Sequence, residues 1–233
     1  MGNVWSYFFR KTSTRVTSSM TIAADGTTEI SVSASGRAKD AKMTVKTTEP
    51  NSTTNTTEIN ANGCTGHISM SVTVQKEADE IKNSAIVSGS MESGRIRATT
   101  FNGKETVRMK AKGENLSPSG MFKSASELSV SRSKKGQGES KCSSMVSGSV
   151  DRLESSVYTE RDDDSRVFAK SATEKMRPSR FGSMPSVKVS HEEGASREDT
   201  LSVNSDGGTG KGNTQMIIKT KDGKEMTAHT KMG

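Results

Sequence analysis

A chain of 233 residues is long enough for one large or two small domains. Only 29% of it is hydrophobic, with 4 Leu in all, which excludes a Leu-rich helical bundle and leaves no run of the ~20 apolar residues that a membrane-spanning helix needs. The net charge of +7 is small for the length, so a thin-cored fold is the first expectation and a largely disordered chain the alternative.

The chain opens with MGNVWSYFFRK. Gly2 and Ser6 fit the M-G-x-x-x-[ST] pattern of N-myristoylation. Trp5, Phe8 and Phe9 are candidate interfacial rings, and Arg10 and Lys11 candidate contacts to anionic headgroups. One myristoyl chain binds a membrane only marginally, so the rings and charges would supply the second signal. Residues 1–14 are read as a membrane-targeting segment, with an aromatic first strand packed into the fold as the other reading.

Beyond this segment, Ser and Thr supply 63 residues and Pro only 4, a composition suited to pleated, uninterrupted strands. Period-2 alternation recurs at Ile30, Val32 and Ala34, at Met43 and Val45, at Ile68, Met70, Val72 and Val74, and at Val107, Met109 and Ala111. Asp25-Gly26, Asn62-Gly63, Asn102-Gly103 and Asp222-Gly223 carry the chemistry of two-residue hairpin turns. The one helical candidate is short, around Lys76 to Lys82, where Glu77, Ala78 and Glu80 sit badly in a strand.

Internal echoes suggest repetition. DGTTEISVSASG (25–36) aligns without gaps to NGKETVRMKAKG (102–113), and DGKEMTAHTKMG closes the sequence. IVSGSM (86–91) returns as MVSGSV (145–150), and Phe122, Ser124, Val130 and Ser131 return as Phe181, Ser183, Val189 and Ser190, each 59 residues later. Residues 15–233 are therefore read as all-β, antiparallel hairpin and meander repeats of about 59 residues and four strands each, with units 15–60, 61–120, 121–180 and 181–233. Such units bury little alone and stack on their neighbours in a solenoid-like rod.

Charge is unevenly placed. Between Arg95 and Lys141 lie eleven basic and four acidic residues, a local excess equal to the whole net charge. Arg108, Lys110 and Lys112 project from one strand face at alternate positions, and Arg132, Lys134 and Lys135 add a second group. Together they are candidates for neutralising phosphates on nucleic acid or on anionic lipid.

Other motifs carry little chemistry. Gly207 to Gly212 resembles a phosphate-binding loop, but Ser205 stands where the first Gly belongs and Gly212 where the Ser/Thr belongs, so a loop between strands is expected. His67, His191 and His229 are isolated, and Glu160 with Asp162, Asp163 and Asp164 reads as a solvated turn rather than a calcium loop. No nucleophile elbow is present. Cys64 and Cys142 lack metal or redox spacing and read as free thiols. The sequons at Asn51, Asn55 and Asn115 read as accidents, because no signal peptide precedes them.

The expectation is a non-enzymatic structural or scaffold protein held at the cytoplasmic face of a membrane by acylated Gly2, with other proteins or further copies of itself as possible partners and neither cofactor nor metal. One alternative is a soluble nucleic-acid-binding protein using the basic stretch 95–141. The other is a disordered Ser/Thr-rich protein regulated by phosphorylation.

Overall fold

The computed structural model describes residues 4–9, 14–22, 28–48, 53–76, 80–117, 126–135, 139–178, 185–194, 198–206 and 208–232. They form strands β1 (Val4–Phe9), β2 (Thr14–Ile22), β3 (Thr28–Arg37), β4 (Asp40–Thr48), β5 (Thr54–Asn62), β6 (His67–Lys76), β7 (Glu80–Ser88), β8 (Met91–Phe101) and β9 (Glu105–Leu116). After these come β10 (Glu127–Lys135), β11 (Glu139–Ser147), β12 (Val150–Arg161), β13 (Arg166–Pro178), β14 (Ser186–Glu193), β15 (Asp199–Asp206), β16 (Gly208–Lys219) and β17 (Glu225–Met232).

All neighbouring strands are antiparallel, in two open sheets. Sheet A runs β1-β4-β5-β8-β9-β12-β13-β16-β17 and sheet B runs β15-β14-β11-β10-β7-β6-β3-β2. After β1, the chain lays one hairpin in sheet B, the next in sheet A, and continues this alternation to β17. The result is a two-layer stack built of hairpins, all-β as the alternation predicts. Strand structure throughout the described residues sets aside the disordered alternative.

Strands β3 to β14 bury alternate side chains between the layers, as in the pattern iBiBiBiBe of β5. The core is made mostly of Val, Ala, Met and Ile, with Met43, Ile59, Met70, Ile96, Val87 and Leu128 fully buried. Such slender side chains let the layers approach closely. At Gly94 on β8, a Cβ would come within 2.5 Å of Leu128 Cδ1 on β10 of the facing sheet. Serines also bridge the layers: Ser155 Oγ on β12 donates to the Ser144 carbonyl on β11 at 2.7 Å, and Ser144 Oγ to the Lys110 carbonyl on β9 at 2.5 Å.

Pairing aligns Val72, Ala85, Val130, Ser144 and Val189 across sheet B, and Met70, Val87, Leu128, Val146 and Val187 in the next buried row. Val130 and Val189, 59 residues apart, therefore share one row with Val72, and Val87 and Val146 share the next. A 59-residue repeat is nonetheless not established. β2, β6, β10 and β14 begin at Thr14, His67, Glu127 and Ser186, which are unevenly spaced. The DGTTEISVSASG and NGKETVRMKAKG echoes fall on β3 and β9, in different sheets, so they mark the return strand of a hairpin and not one unit. The IVSGSM and MVSGSV echo has a local cause. Gly89 (φ 135°) and Gly148 (φ 108°) stand at corners where the chain leaves sheet B for sheet A, and their N–H groups donate to the Ser126 and Pro185 carbonyls. The Phe122 and Phe181 echo lies outside the described residues.

Three local expectations are corrected. Lys76 and Glu80 to Lys82 are strand, with Lys76 registered on Ile81 and Gln75 on Lys82, because the flanking residues of β6 and β7 alternate and so pair; Glu77 to Asp79 lie outside the described residues. Asn62-Gly63 does not close a hairpin. It begins a step from sheet A to sheet B, where Gly63 N–H donates to Asp40 Oδ1 and Cys64 N–H to the Lys39 carbonyl. Gly208 to Gly212 is extended chain in β16, paired with β13 across a bulge between Glu174 and Arg177, and not a loop. By contrast, Asn102-Gly103 and Asp222-Gly223 do turn hairpins, and Asp25-Gly26 lies outside the described residues.

Candidate anionic-surface interface

The outward face of sheet A collects cations from separate hairpins. On β9, Val107, Met109 and Ala111 point into the core, so Arg108, Lys110 and Lys112 point outward, as their spacing predicts. Register then sets Arg97 of β8 against Lys110 and Arg95 against Lys112. On the same face lie Lys42 and Lys46 of β4, whose neighbours Met43 and Val45 are buried. Strand spacing of ~4.8 Å makes this nine-stranded face roughly 40 Å broad.

Acids answer part of this charge. Lys110 Nζ lies 2.6 Å from Glu154 Oε1, Lys170 3.5 Å from the same oxygen, and Lys112 2.6 Å from Glu114. Burial raises the Glu154 pKa, but the Lys110 and Lys170 ammonium groups outweigh it and hold the carboxyl below its ordinary range. The hydrogen bond from Lys112 does the same for Glu114. Arg108 sits 5.6 Å from the Tyr158 ring centroid, and Tyr158 meets Phe168 edge-on at 6.4 Å. Among the described residues no carboxylate forms an ion pair with Lys42, Lys46, Arg95 or Arg97. Like charges directly opposite one another disfavour a sheet, as at Arg95–Lys112 and Arg97–Lys110, and Glu58 opposite Arg97 and Glu154 opposite Lys112 offset part of that repulsion.

The second basic group does not join them. Arg132 points inward from β10, its side chain 4% exposed, and pairs with Glu105 at 3.2 Å. Lys134 reaches the same carboxylate at 3.3 Å, and Lys135 is exposed at the end of sheet B. The stretch 95–141 is thus divided between both sheets and the interior. Sequence reasoning did not identify Lys42, Lys46 and Lys170 as neighbours of the stripe, since only strand order brings them to one face.

At the N-terminus, Val4–Phe9 is the edge strand of sheet A, with Trp5 registered on Val45, Phe8 on Lys42 and Phe9 on Ala41. Gly2, Arg10 and Lys11 lie outside the described residues. Of the membrane-targeting candidates, Trp5, Phe8 and Phe9 thus lie on a strand at the edge of sheet A.

One arrangement resembles a catalytic triad. Thr159 Oγ1 is 3.1 Å from His191 Nδ1, and His191 Nε2 is 2.8 Å from Asp199 Oδ1. Yet Thr159 and His191 are each 1% exposed, and Arg161 binds both Asp199 oxygens, so the hydroxyl meets no substrate and the carboxylate is already neutralised. Among the described residues no group of three His, Cys, Asp or Glu side chains is placed to hold a metal. No family model matches the chain, and no curated protein or solved structure is significantly similar to it.

Proposed function

We propose that this chain is a non-enzymatic β scaffold that lies against an anionic membrane, at the cytoplasmic leaflet, through the outward face of sheet A. N-myristoylation of Gly2 is its second attachment. The observation that carries this reading is the gathering of Arg95, Arg97, Arg108, Lys110, Lys112 and Lys42 on one broad face, with Arg95 registered on Lys112 and Arg97 on Lys110. Basic groups near an anionic leaflet contribute about 1 kcal/mol each, and a single acyl chain is marginal, so neither signal anchors the protein alone. β1 is the edge strand beside β4, so the N-terminal segment leaves from the sheet that carries the charge.

Nucleic acid is the second polyanion this face suits. Against it, Tyr158 and Phe168 are occupied by Arg108 and by each other, and a broad flat face meets a duplex only along a line. The deciding experiment is flotation of protein co-expressed with an N-myristoyltransferase. Wild type should float with phosphatidylserine vesicles at low salt and less with neutral ones, Gly2→Ala should lose most of that binding, and Arg95→Gln with Arg97→Gln and Arg108→Gln should lose it in a salt-dependent way. A triple variant that floats like wild type overturns the reading. If that variant also loses RNA or DNA binding, the nucleic-acid reading replaces it.

A further inference from the structure

The two sheets do not end together. Sheet A has nine strands and sheet B eight. The last strand of sheet B, β15, lies against β13 and β16, while Glu225 to Lys231 of β17 are exposed throughout. The inward-facing row of sheet A therefore runs out of cover. Val167 is buried, Ile218 beside it is half-buried, and Met226 beside that is 61% exposed. Leu201 and Val203 on β15 are half-buried at the same end. An apolar ledge beside two unpaired strand edges is a template for another chain.

The hairpin rule identifies the chain that fits. An even number of antiparallel steps separates β1 from β17, so the two strands run in the same direction. An odd number separates β2 from β15, so these run oppositely. β1 is the sheet A strand that precedes a sheet B hairpin, β2–β3, and β17 stands where such a hairpin would come next. A second copy, displaced along the stack without rotation, brings its β2 antiparallel to β15 and its β2–β3 hairpin over the inward face of β16 and β17. In sheet A, β17 can then pair antiparallel with β4 of that copy only by taking the place of β1.

We infer that copies of this chain assemble head to tail by strand replacement, β17 of one copy displacing β1 from β4 of the next while β15 joins β2. The contact is heterologous and does not close, so it propagates into chains of copies. It is independent of the membrane reading, since it uses the ends of the stack and not the outward face of sheet A.

Ser6 and Thr44 are directly opposed in the β1–β4 pair, and directly opposed residues of antiparallel strands have Cα atoms about 4.5–5.5 Å apart, which a disulfide tolerates. Ser6→Cys with Thr44→Cys locks β1 in place when oxidised. Light scattering should show wild type growing in steps of one protomer as concentration rises, the oxidised variant remaining monomeric, and reductant restoring growth. Met226→Glu, on the exposed strand, should also remain monomeric with an unchanged circular dichroism spectrum. A wild type that stays monomeric, that stops at a dimer, or whose oxidised locked variant grows equally well overturns the inference.

Discussion

Arg132 on β10 crosses the gap between the sheets to Glu105 on β9, a pair 27 residues apart in the chain with side chains 4% and 9% exposed. It belongs to a series of polar ties along one margin of the interior. Asn83 Nδ2 donates across the gap to Asn55 Oδ1 at 3.0 Å, and His191 meets Thr159. The register of sheet B puts Asn83, Arg132, Cys142 and His191 in one row. Polar ties at fixed places penalise a slip of one sheet over the other, which a core of small, similar side chains would resist weakly.

Removing one partner should therefore cost more than removing both. Arg132→Met leaves the buried Glu105 with Lys134 alone and should lower stability by about 3–5 kcal/mol in urea unfolding. Adding Glu105→Leu should recover most of that loss, since Lys134 is 27% exposed and can turn to water. A double variant as unstable as the single one would show that the pair does more than satisfy its own charges.

Acid should weaken the tie at the other end of the row. Burial raises the Asp199 pKa, but hydrogen bonds from His191 and Arg161 outweigh it and hold the carboxyl below its ordinary value. A carboxyl lowered in the fold contributes stability that is complete above its unfolded pKa of about 3.9 and is lost as pH falls through the folded value. The melting temperature should accordingly drop as pH falls below about 4, and Asp199→Asn should flatten that limb. An unchanged limb in the variant would assign the acid loss to other carboxylates.

The strands were legible in the sequence and their assignment to sheets was not. Met43 and Val45, or Val107, Met109 and Ala111, alternate because each strand has one buried face, and period 2 records that directly. Asn62-Gly63 and Asn102-Gly103 share turn chemistry, yet one leads into the facing sheet and the other turns back within its own. Both bends need residues tolerant of unusual φ, so the dipeptide marks a bend without its destination. Of the site, Arg108, Lys110 and Lys112 were legible for the same reason as the strands. Arg132 was misplaced because an inward charge reads like an outward one until its partner is known.

Close approach of the layers at Gly94 should make that position intolerant of bulk. A Cβ there would meet Leu128 Cδ1 at 2.5 Å and Met91 Sδ at 2.7 Å, all in the interior. Gly94→Val should destabilise by about 1–3 kcal/mol, and Leu128→Ala should restore more in that background than in wild type, where it only opens a cavity. Additive losses would mean that the layers part without strain.

Both thiols should be slow nucleophiles in the folded protein. Burial, with a smaller contribution from the Asp40 carboxylate, pushes the Cys64 pKa up to about 11. Burial also raises Cys142, which is 2% exposed. At pH 8 a thiol with an ordinary pKa of about 8.5 is roughly a quarter thiolate, so Cys64 should react with a disulfide reagent about a hundredfold more slowly or worse until the chain unfolds. Asp40→Asn should quicken Cys64 only modestly, because burial is the larger cause. A fast-reacting thiol in the native state would contradict the packing of the step from β5 to β6.

The charged face supplies the sharpest test of whether its arrangement serves binding. Arg95 is registered between Asn60 and Lys112, so Arg95→Glu replaces a repulsion with an attraction and introduces no like-charged neighbour in its row. The sheet should gain about 0.2–1 kcal/mol in urea unfolding. The same change removes one cation and adds one anion where an anionic leaflet would lie, and at about 1 kcal/mol per charge the affinity for phosphatidylserine vesicles should fall roughly thirtyfold. Stability and binding should thus move in opposite directions in a single variant. A gain in stability with unchanged vesicle binding would leave the opposed cations without the role proposed for them.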